Sequence, residues 1–309
     1  MRLFIHRRLK LKNVLFSMVF TLFMISSAQG AQTFYLPSTG DNIVGYMQTG
    51  KIQRGDTFSR IAERFGVGGQ ALLQANPGVH PSHLRVGQTV KIPTAYVLPE
   101  VPQEGIVINL SEMRLYYYPK GGNVVITAPI AVGRAGWETP ISNTKIVEKI
   151  QDPVWHVPES IRQASAEKGR YLPEEVPPGP ENPLGQYAMR LGLGTYLIHG
   201  TNQPASIGQS VSSGCIRMYP EDIQYLFEQV PVGTPVKIIN QPYKIGRYRG
   251  EYYVEAHPPI ENNFSSNEAV ERDYRKVIDD FVGSHEEALQ WHQIEPMIQE
   301  HRGYPQRIL

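Results

Sequence analysis

Between residues 105 and 239 the chain is cut into short apolar runs by turn-forming residues, and this punctuation points to a core built from strands. Residues 106–110 and 113–118 flank Ser111-Glu112, the pattern of a hairpin. Residues 123–132, 144–150, 195–198 and 234–239 read as further strands. Residues 222–229, with Pro220 in or near the first turn, read as a helix. Residues 173–183 carry five prolines and read as a loop. The expected class is α+β, with a β-rich domain at 105–240.

Residues 45–94 form a separate small unit by their pattern. Residues 45–53 could make a strand, ended by Arg54-Gly55-Asp56, with Asp56 placed to cap a helix. Phe58, Ile61, Ala62 and Phe65 follow at helical spacing, and Gly66 stops them. A second helix over 69–75 ends at Asn76-Pro77-Gly78, and 89–93 closes the unit as a strand, giving a βααβ order. Residues 95–104, bracketed by Pro93, Pro99 and Pro102, read as a semi-rigid linker. In the tail, 241–309, Ser265/Glu268 and Ser284/Glu287 have capping-box spacing. Val270, Tyr274, Val277, Ile278 and Phe281 recur at helical intervals, so the tail is expected to be helical.

Residues 1–30 read as a cleaved secretory signal. Arg2, Arg7, Arg8, Lys10 and Lys12 precede an apolar run over 14–25, and Ala28-Gln29-Gly30 resembles a cleavage box. The run falls short of the roughly 20 residues that a spanning helix needs. The expected location is therefore the periplasm. Removing the signal takes away five of the 30 Lys and Arg and none of the 29 Asp and Glu, which leaves a net charge of −4. That argues against nucleic acid as a partner.

An exported chain with one cysteine, Cys215, cannot form an internal disulfide. Cys215 follows Ser212-Ser213-Gly214, and His199 ends an apolar strand and is followed by Gly200-Thr201-Asn202. A thiol is mostly protonated at neutral pH, and an imidazole can take its proton. The imidazole's other nitrogen must be held, by a carboxylate or by a backbone carbonyl. Gly214 lets the backbone turn tightly, so its N–H and that of Cys215 could face an oxyanion. Alone, one cysteine and one of nine histidines also fit an inert buried thiol. His156 and His257 read as structural or surface residues, and Tyr116, Tyr117 and Tyr118 as strand packing. Gly192 and Gly194 lack the context of a nucleotide fingerprint, and the chain has no His-Glu-x-x-His zinc motif.

Larger patterns narrow these choices. Residues 53–58, Ile61-Ala62, Phe65-Gly66-Val67, Leu72, 75–78, 84–88 and Ile92-Pro93 together resemble the LysM domain, which implies glycan strands of peptidoglycan as ligand. His199-Gly200-Thr201-Asn202 and Ser212-Ser213-Gly214-Cys215-Ile216-Arg217 resemble the signature of the L,D-transpeptidase (YkuD) family. Val132-Gly133, Thr139-Pro140, Pro153-Val154-Trp155 and 182–185 match further stretches, and 241–259 resembles an extension of Gram-negative members.

The resemblance implies a β-rich catalytic domain at 105–240 that acts on peptidoglycan stem peptides without metal or organic cofactor. Cys215 would attack between the third and fourth residues of a tetrapeptide stem, release D-alanine and pass the stem to an amine. His199 would be the base, oriented by the Gly200 carbonyl, and Gly214 and Cys215 would supply oxyanion N–H groups. Ser212, Ser213, Thr201 and Arg217 are expected to contact substrate, with Arg217 fixing the loop or meeting a stem carboxylate. Ser213 stands where many members have a second histidine, so no imidazole acts there. The acceptor is another stem, giving a 3–3 cross-link, or an outer-membrane protein or lipoprotein, which the extension favours. Hydrolysis by an L,D-carboxypeptidase or amidase, and an inactive wall-binding protein, are the alternatives.

Overall fold

The computed structural model describes residues 31–260, 274–283 and 289–308. The expected export signal, Val270 and the capping pairs Ser265/Glu268 and Ser284/Glu287 lie outside the described residues. No helix among the described residues is long and apolar enough to cross a membrane.

The punctuated stretch folds into a sheet, as its pattern predicts. Nine strands lie in the order Gln32–Tyr35, Val124–Pro129, Arg114–Tyr118, Gly105–Asn109, Pro235–Ile239, Ser142–Gln151, Tyr187–Leu191, Leu197–His199 and Ile216–Arg217. Neighbours run antiparallel except for Gly105–Asn109 with Pro235–Ile239 and Leu197–His199 with Ile216–Arg217. Successive side chains alternate between faces, and both faces are covered. Ile106, Ile108, Leu115 and Tyr117 enter one core, closed by Ile223 and Leu226 of the helix Pro220–Gln229. Val107, Tyr116 and Tyr118 enter the other, against Val44, Tyr96 and Leu98. The consecutive tyrosines therefore pack on opposite sides of one strand.

Several local expectations are corrected. The strand expected over 45–53 is two strands. Ile43–Gly45 pairs with Ala95–Val97, and Gln48–Lys51 pairs with Thr89–Ile92. The break falls at Gly45, where φ is +73° and a Cβ would lie 2.1 Å from the Thr94 carbonyl oxygen. Residues 95–104 are not a free linker throughout. Ala95–Val97 and Leu98 are buried, because their apolar side chains cover the sheet. Thr57, not Asp56, caps the helix Phe58–Arg64 by accepting from Arg60 N–H. Asp56 instead makes a bidentate pair with Arg64, both bonds 2.9 Å, which holds its carboxyl below the usual range. The helix Glu159–Ala166 was not anticipated, and it buries no residue whose spacing could announce it.

The tail contains helices, Tyr274–Val282 and Trp291–Glu300, but they pack on a sheet that the sequence did not suggest. Tyr243–Tyr248 and Glu251–Ala256 form a hairpin joined by Arg249 and Gly250, both at positive φ, and Gln306–Arg307 adds a third strand.

Specific polar contacts join the parts. Gly69 N–H donates to the Ile207 carbonyl at 3.1 Å, and Tyr219 OH donates to the Val67 carbonyl at 3.2 Å. At the other joint, buried Lys244 lies 2.8 Å from both Glu112 and Glu255, and Glu255 is 2.7 Å from His257. Glu112 also accepts from Asn109 and Tyr116, and Glu255 from the Val97 N–H. Burial pushes the Glu255 carboxyl up, but Lys244 and His257 pull it down to about 2. Lys244→Met would leave buried Glu255 with His257 alone and buried Glu112 with only the more distant Arg114, 3.7 Å away. It should lower unfolding free energy by about 3–5 kcal/mol in urea titrations. An unchanged midpoint would show that the joint does not depend on this cluster.

Candidate active site

The site rests on the parallel pairing of Leu197–His199 with Ile216–Arg217, in which Ile198 lies opposite Ile216 and His199 opposite Arg217. Ile198 and Ile216 are both completely buried in the core. Alternation then turns Leu197, His199, Cys215 and Arg217 to the opposite face. There they line one cavity of about 290 Å³. Its other walls come from Trp155, His156 and Pro158, from Pro183 and Leu184, and from Arg190, Ser212 and Ser213.

His199 is buried, and its Nδ1 lies 2.6 Å from the Gly200 carbonyl oxygen. A carbonyl only accepts, so Nδ1 carries the proton and Nε2 keeps its lone pair. Burial pushes the imidazole down to about 4, aided by the Arg217 charge and opposed by backbone bonding at Gly200 and Leu184. Cys215 is half-buried, and its thiol lies 3.9 Å from the Thr195 carbonyl. Burial pushes the thiol up, against the backbone at Leu197 and the charge of Arg217, which both favour the thiolate. The resting pair at neutral pH is therefore neutral thiol and neutral imidazole.

The turn before Cys215 is held from three sides. Gly214 has φ +103°, and a Cβ there would meet a Tyr196 ring carbon at 2.8 Å. Thr139 Oγ1 donates to the Gly214 carbonyl at 2.7 Å and accepts from Gly133 N–H at 3.0 Å. Arg134 donates to the Ser212 carbonyl and to Ser213 Oγ, each at 3.1 Å, and lies over the Trp137 ring. Arg134 also repels Arg217, whose guanidinium pKa is lowered first by its own burial.

The structure gives two of the residues expected to contact substrate other partners. Ser212 borders the cavity, but its hydroxyl donates to the Cys215 carbonyl at 2.5 Å and accepts from Gly214 N–H at 3.1 Å. It braces the turn. That same bond engages the Gly214 N–H, so the donor expected for an oxyanion must first leave Ser212. Thr201 is buried and accepts from Gln203 N–H at 3.0 Å. It borders a different cavity, with Gly200 and Asn182, and does not face Cys215. Ser213 and Arg217 do line the Cys215 cavity. Arg134, Arg190 and the bracing role of Thr139 were missed. Arg134 and Thr139 had only the signal of lying in or beside Val132-Gly133 and Thr139-Pro140, and Arg190 had none. His257 is structural, as expected, within the ion cluster, while His156 pairs with Glu175 on the surface.

Comparison with known proteins gives the family. Residues 103–238 match the YkuD family, described as the L,D-transpeptidase catalytic domain, and residues 51–93 match the LysM domain. The chain is 41% identical to "Probable L,D-transpeptidase ErfK/SrfK" of Salmonella typhimurium, over 85% of this chain and 87% of the relative. It is 40% identical to "Probable L,D-transpeptidase YbiS" of Escherichia coli K12, over 89% and 92% respectively. It is 44% identical to "Probable L,D-transpeptidase YcfS" of the same strain, over 74% of each chain. The chain carries a LysM domain ahead of its catalytic domain and belongs to the L,D-transpeptidase family built on the YkuD catalytic domain.

Proposed function

We propose that this chain is a periplasmic cysteine acyltransferase that moves peptidoglycan stem peptides onto an amine. The observation that carries this reading is the strand pairing that turns His199, Cys215 and Arg217 into one cavity. As Cys215 Sγ attacks the carbonyl of the third stem residue, its proton passes to His199 Nε2. The carbonyl becomes an oxyanion, for which the backbone N–H of Cys215, and of Gly214 once released by Ser212, are the candidate donors. Collapse breaks the C–N bond, His199 returns the proton to the leaving nitrogen, and D-alanine departs. An acceptor amine then attacks the thioester, gives its proton to His199, and restores the Cys215 thiol. The scheme uses no metal or organic cofactor.

Arg217 presents a buried Nε with no hydrogen-bond partner among the described residues, and it sits beside Cys215. We assign it to a carboxylate of the stem, which would supply the missing acceptor. The LysM domain, at 45–94 in the division proposed here, holds glycan strands. The extension at 241–309 favours a protein acceptor, a lysine amine or chain terminus of an outer-membrane protein or lipoprotein, over a second stem.

Three outcomes test this reading. Incubation of residues 31–309 with a disaccharide-tetrapeptide should add the stem minus D-alanine to Cys215 by mass spectrometry, and Cys215→Ala should add nothing. A parallel lysine-bearing peptide should appear in product. Release of D-alanine with only tripeptide formed would instead mark a hydrolase.

The pH dependence follows from His199. Its folded value of about 4 lies below an ordinary imidazole near 6.5, so the base stays available until pH approaches 4. The acid limb of kcat/KM should therefore fall near pH 4, and a limb near 6.5 would contradict a buried neutral base. The same group binds fewer protons folded than unfolded in that window. Its contribution to stability is full above about 6.5 and declines as pH falls towards 4, and His199→Gln should flatten this slope in denaturant titrations.

Gly214→Ala should cut acylation about 100-fold while circular dichroism stays native, because the turn must shift away from Tyr196. Acylation at the wild-type rate would mean that the turn geometry is not needed.

A further inference from the structure

A second cavity, larger than the one that holds Cys215, lies elsewhere among the described residues. It encloses about 500 Å³ where the LysM unit, the catalytic domain and the tail meet. Gln70, Ala71 and Gln74 of the helix Gly69–Ala75 form one wall. The turn around Ser111 and Met113 forms a second, and 257–260 a third. The far end is closed by Arg134 and Ser210.

Arg134 makes this cavity a neighbour of the reaction. The same guanidinium bonds Ser213 Oγ and the Ser212 carbonyl, which line the Cys215 cavity. The two spaces thus share a wall one side chain thick. Three extended stem residues between the sugar and the attacked carbonyl span at most about 10 Å. The sugar that carries a bound stem must therefore lie just outside the Cys215 cavity.

The lining decides what can occupy the space. Its buried charges are already neutralised, since Glu112 is engaged by Lys244, Asn109 and Tyr116, and His257 by Glu255. Glu138, on the rim, accepts from Gly136 N–H at 2.7 Å. An ammonium would find no uncommitted buried carboxylate here. The Arg134 guanidinium at the far end is engaged by the Ser212 carbonyl and Ser213 Oγ; the other walls offer the amides of Gln70 and Gln74, the lone pairs of Ser210 Oγ, whose proton goes to the Gly133 carbonyl, and the apolar faces of Tyr96, Met113 and Pro258. Neutral hydrogen-bonding groups beside apolar faces match a sugar ring, with hydroxyls at its edge and C–H groups on its face.

We propose that this junction cavity binds the uncharged N-acetylated disaccharide of the donor substrate, while its stem enters the Cys215 cavity. The inference rests on the acyl-transfer reading above. It makes the LysM helix part of the substrate site, through a face that also borders the catalytic domain.

The test compares disaccharide-tetrapeptide with free tetrapeptide on residues 31–309, following D-alanine release and the Cys215 adduct. The sugar should improve kcat/KM, chiefly through KM. Ala71→Phe combined with Gln74→Ala should remove roughly tenfold of that advantage, as expected for one filled contact and one or two lost hydrogen bonds, and leave free tetrapeptide turnover unchanged. The disaccharide without a stem, its lactyl carboxyl capped as the primary amide to keep it uncharged, should compete with disaccharide-tetrapeptide in the wild type but not with free tetrapeptide, a result that does not depend on any variant folding. Equal turnover of both substrates, or equal losses on both in the variant, would overturn the proposal. So would loss of sacculus binding by the variant in step with its kinetic loss, since the effect would then belong to wall tethering. Absence of a Cys215 adduct with either substrate would instead refute the acyl-transfer reading.

Discussion

The register between two short parallel strands governs this site. Ile198 opposite Ile216 seats both isoleucines in the core, and burial of each such side chain contributes about 1.5–3 kcal/mol. A slip of one residue would send them to the solvent side and turn His199 and Cys215 into the core. Apolar packing therefore fixes which way the polar pair points. The arrangement of the candidate site is maintained by residues buried in the core.

Around this pairing the backbone does the orienting. The Gly200 carbonyl sets the His199 tautomer, and no carboxylate is involved in that bond. Thr139, Ser212 and Arg134 brace the Gly214 turn through backbone groups that would otherwise be buried without partners. Burial favours the uncharged thiol and imidazole at rest, and the Arg217 guanidinium favours negative charge on sulfur as it appears. Such a site holds its groups ready while avoiding a standing ion pair in a desolvated place.

The small N-terminal unit and the tail are more than attachments. Gly68, Gly69 and Gly208 allow two backbones to approach so closely that a Cβ at Gly208 would lie 2.6 Å from Gly69 N. The loop that carries Gly208 runs on to Cys215. On the other side, the Lys244 cluster binds the tail to the hairpin turn at Glu112. Both joints border the larger cavity, so its shape depends on the three parts being held together.

The sequence carried the local features whose cause is local. Strand and helix periods, the stop at Gly66, the helix over 69–75 and the proline entry at Pro220 were legible because each depends on residues a few positions apart. The signature around His199 and Cys215 was legible because a strand end and a tight turn need those residue types in that order. Long-range contact decided the rest. Arg134 and Thr139 gained their roles only when the sheet brought them 75 or more positions along the chain to the 212–214 turn. Thr201, two residues beyond the strand end at His199, faces another cavity. Residues 95–97 became a strand because a sheet face needed cover, and the tail's sheet formed from segments some 50 residues apart. Spacing along a chain reports which face a residue takes on its own element, whereas what it meets there is set by packing between elements.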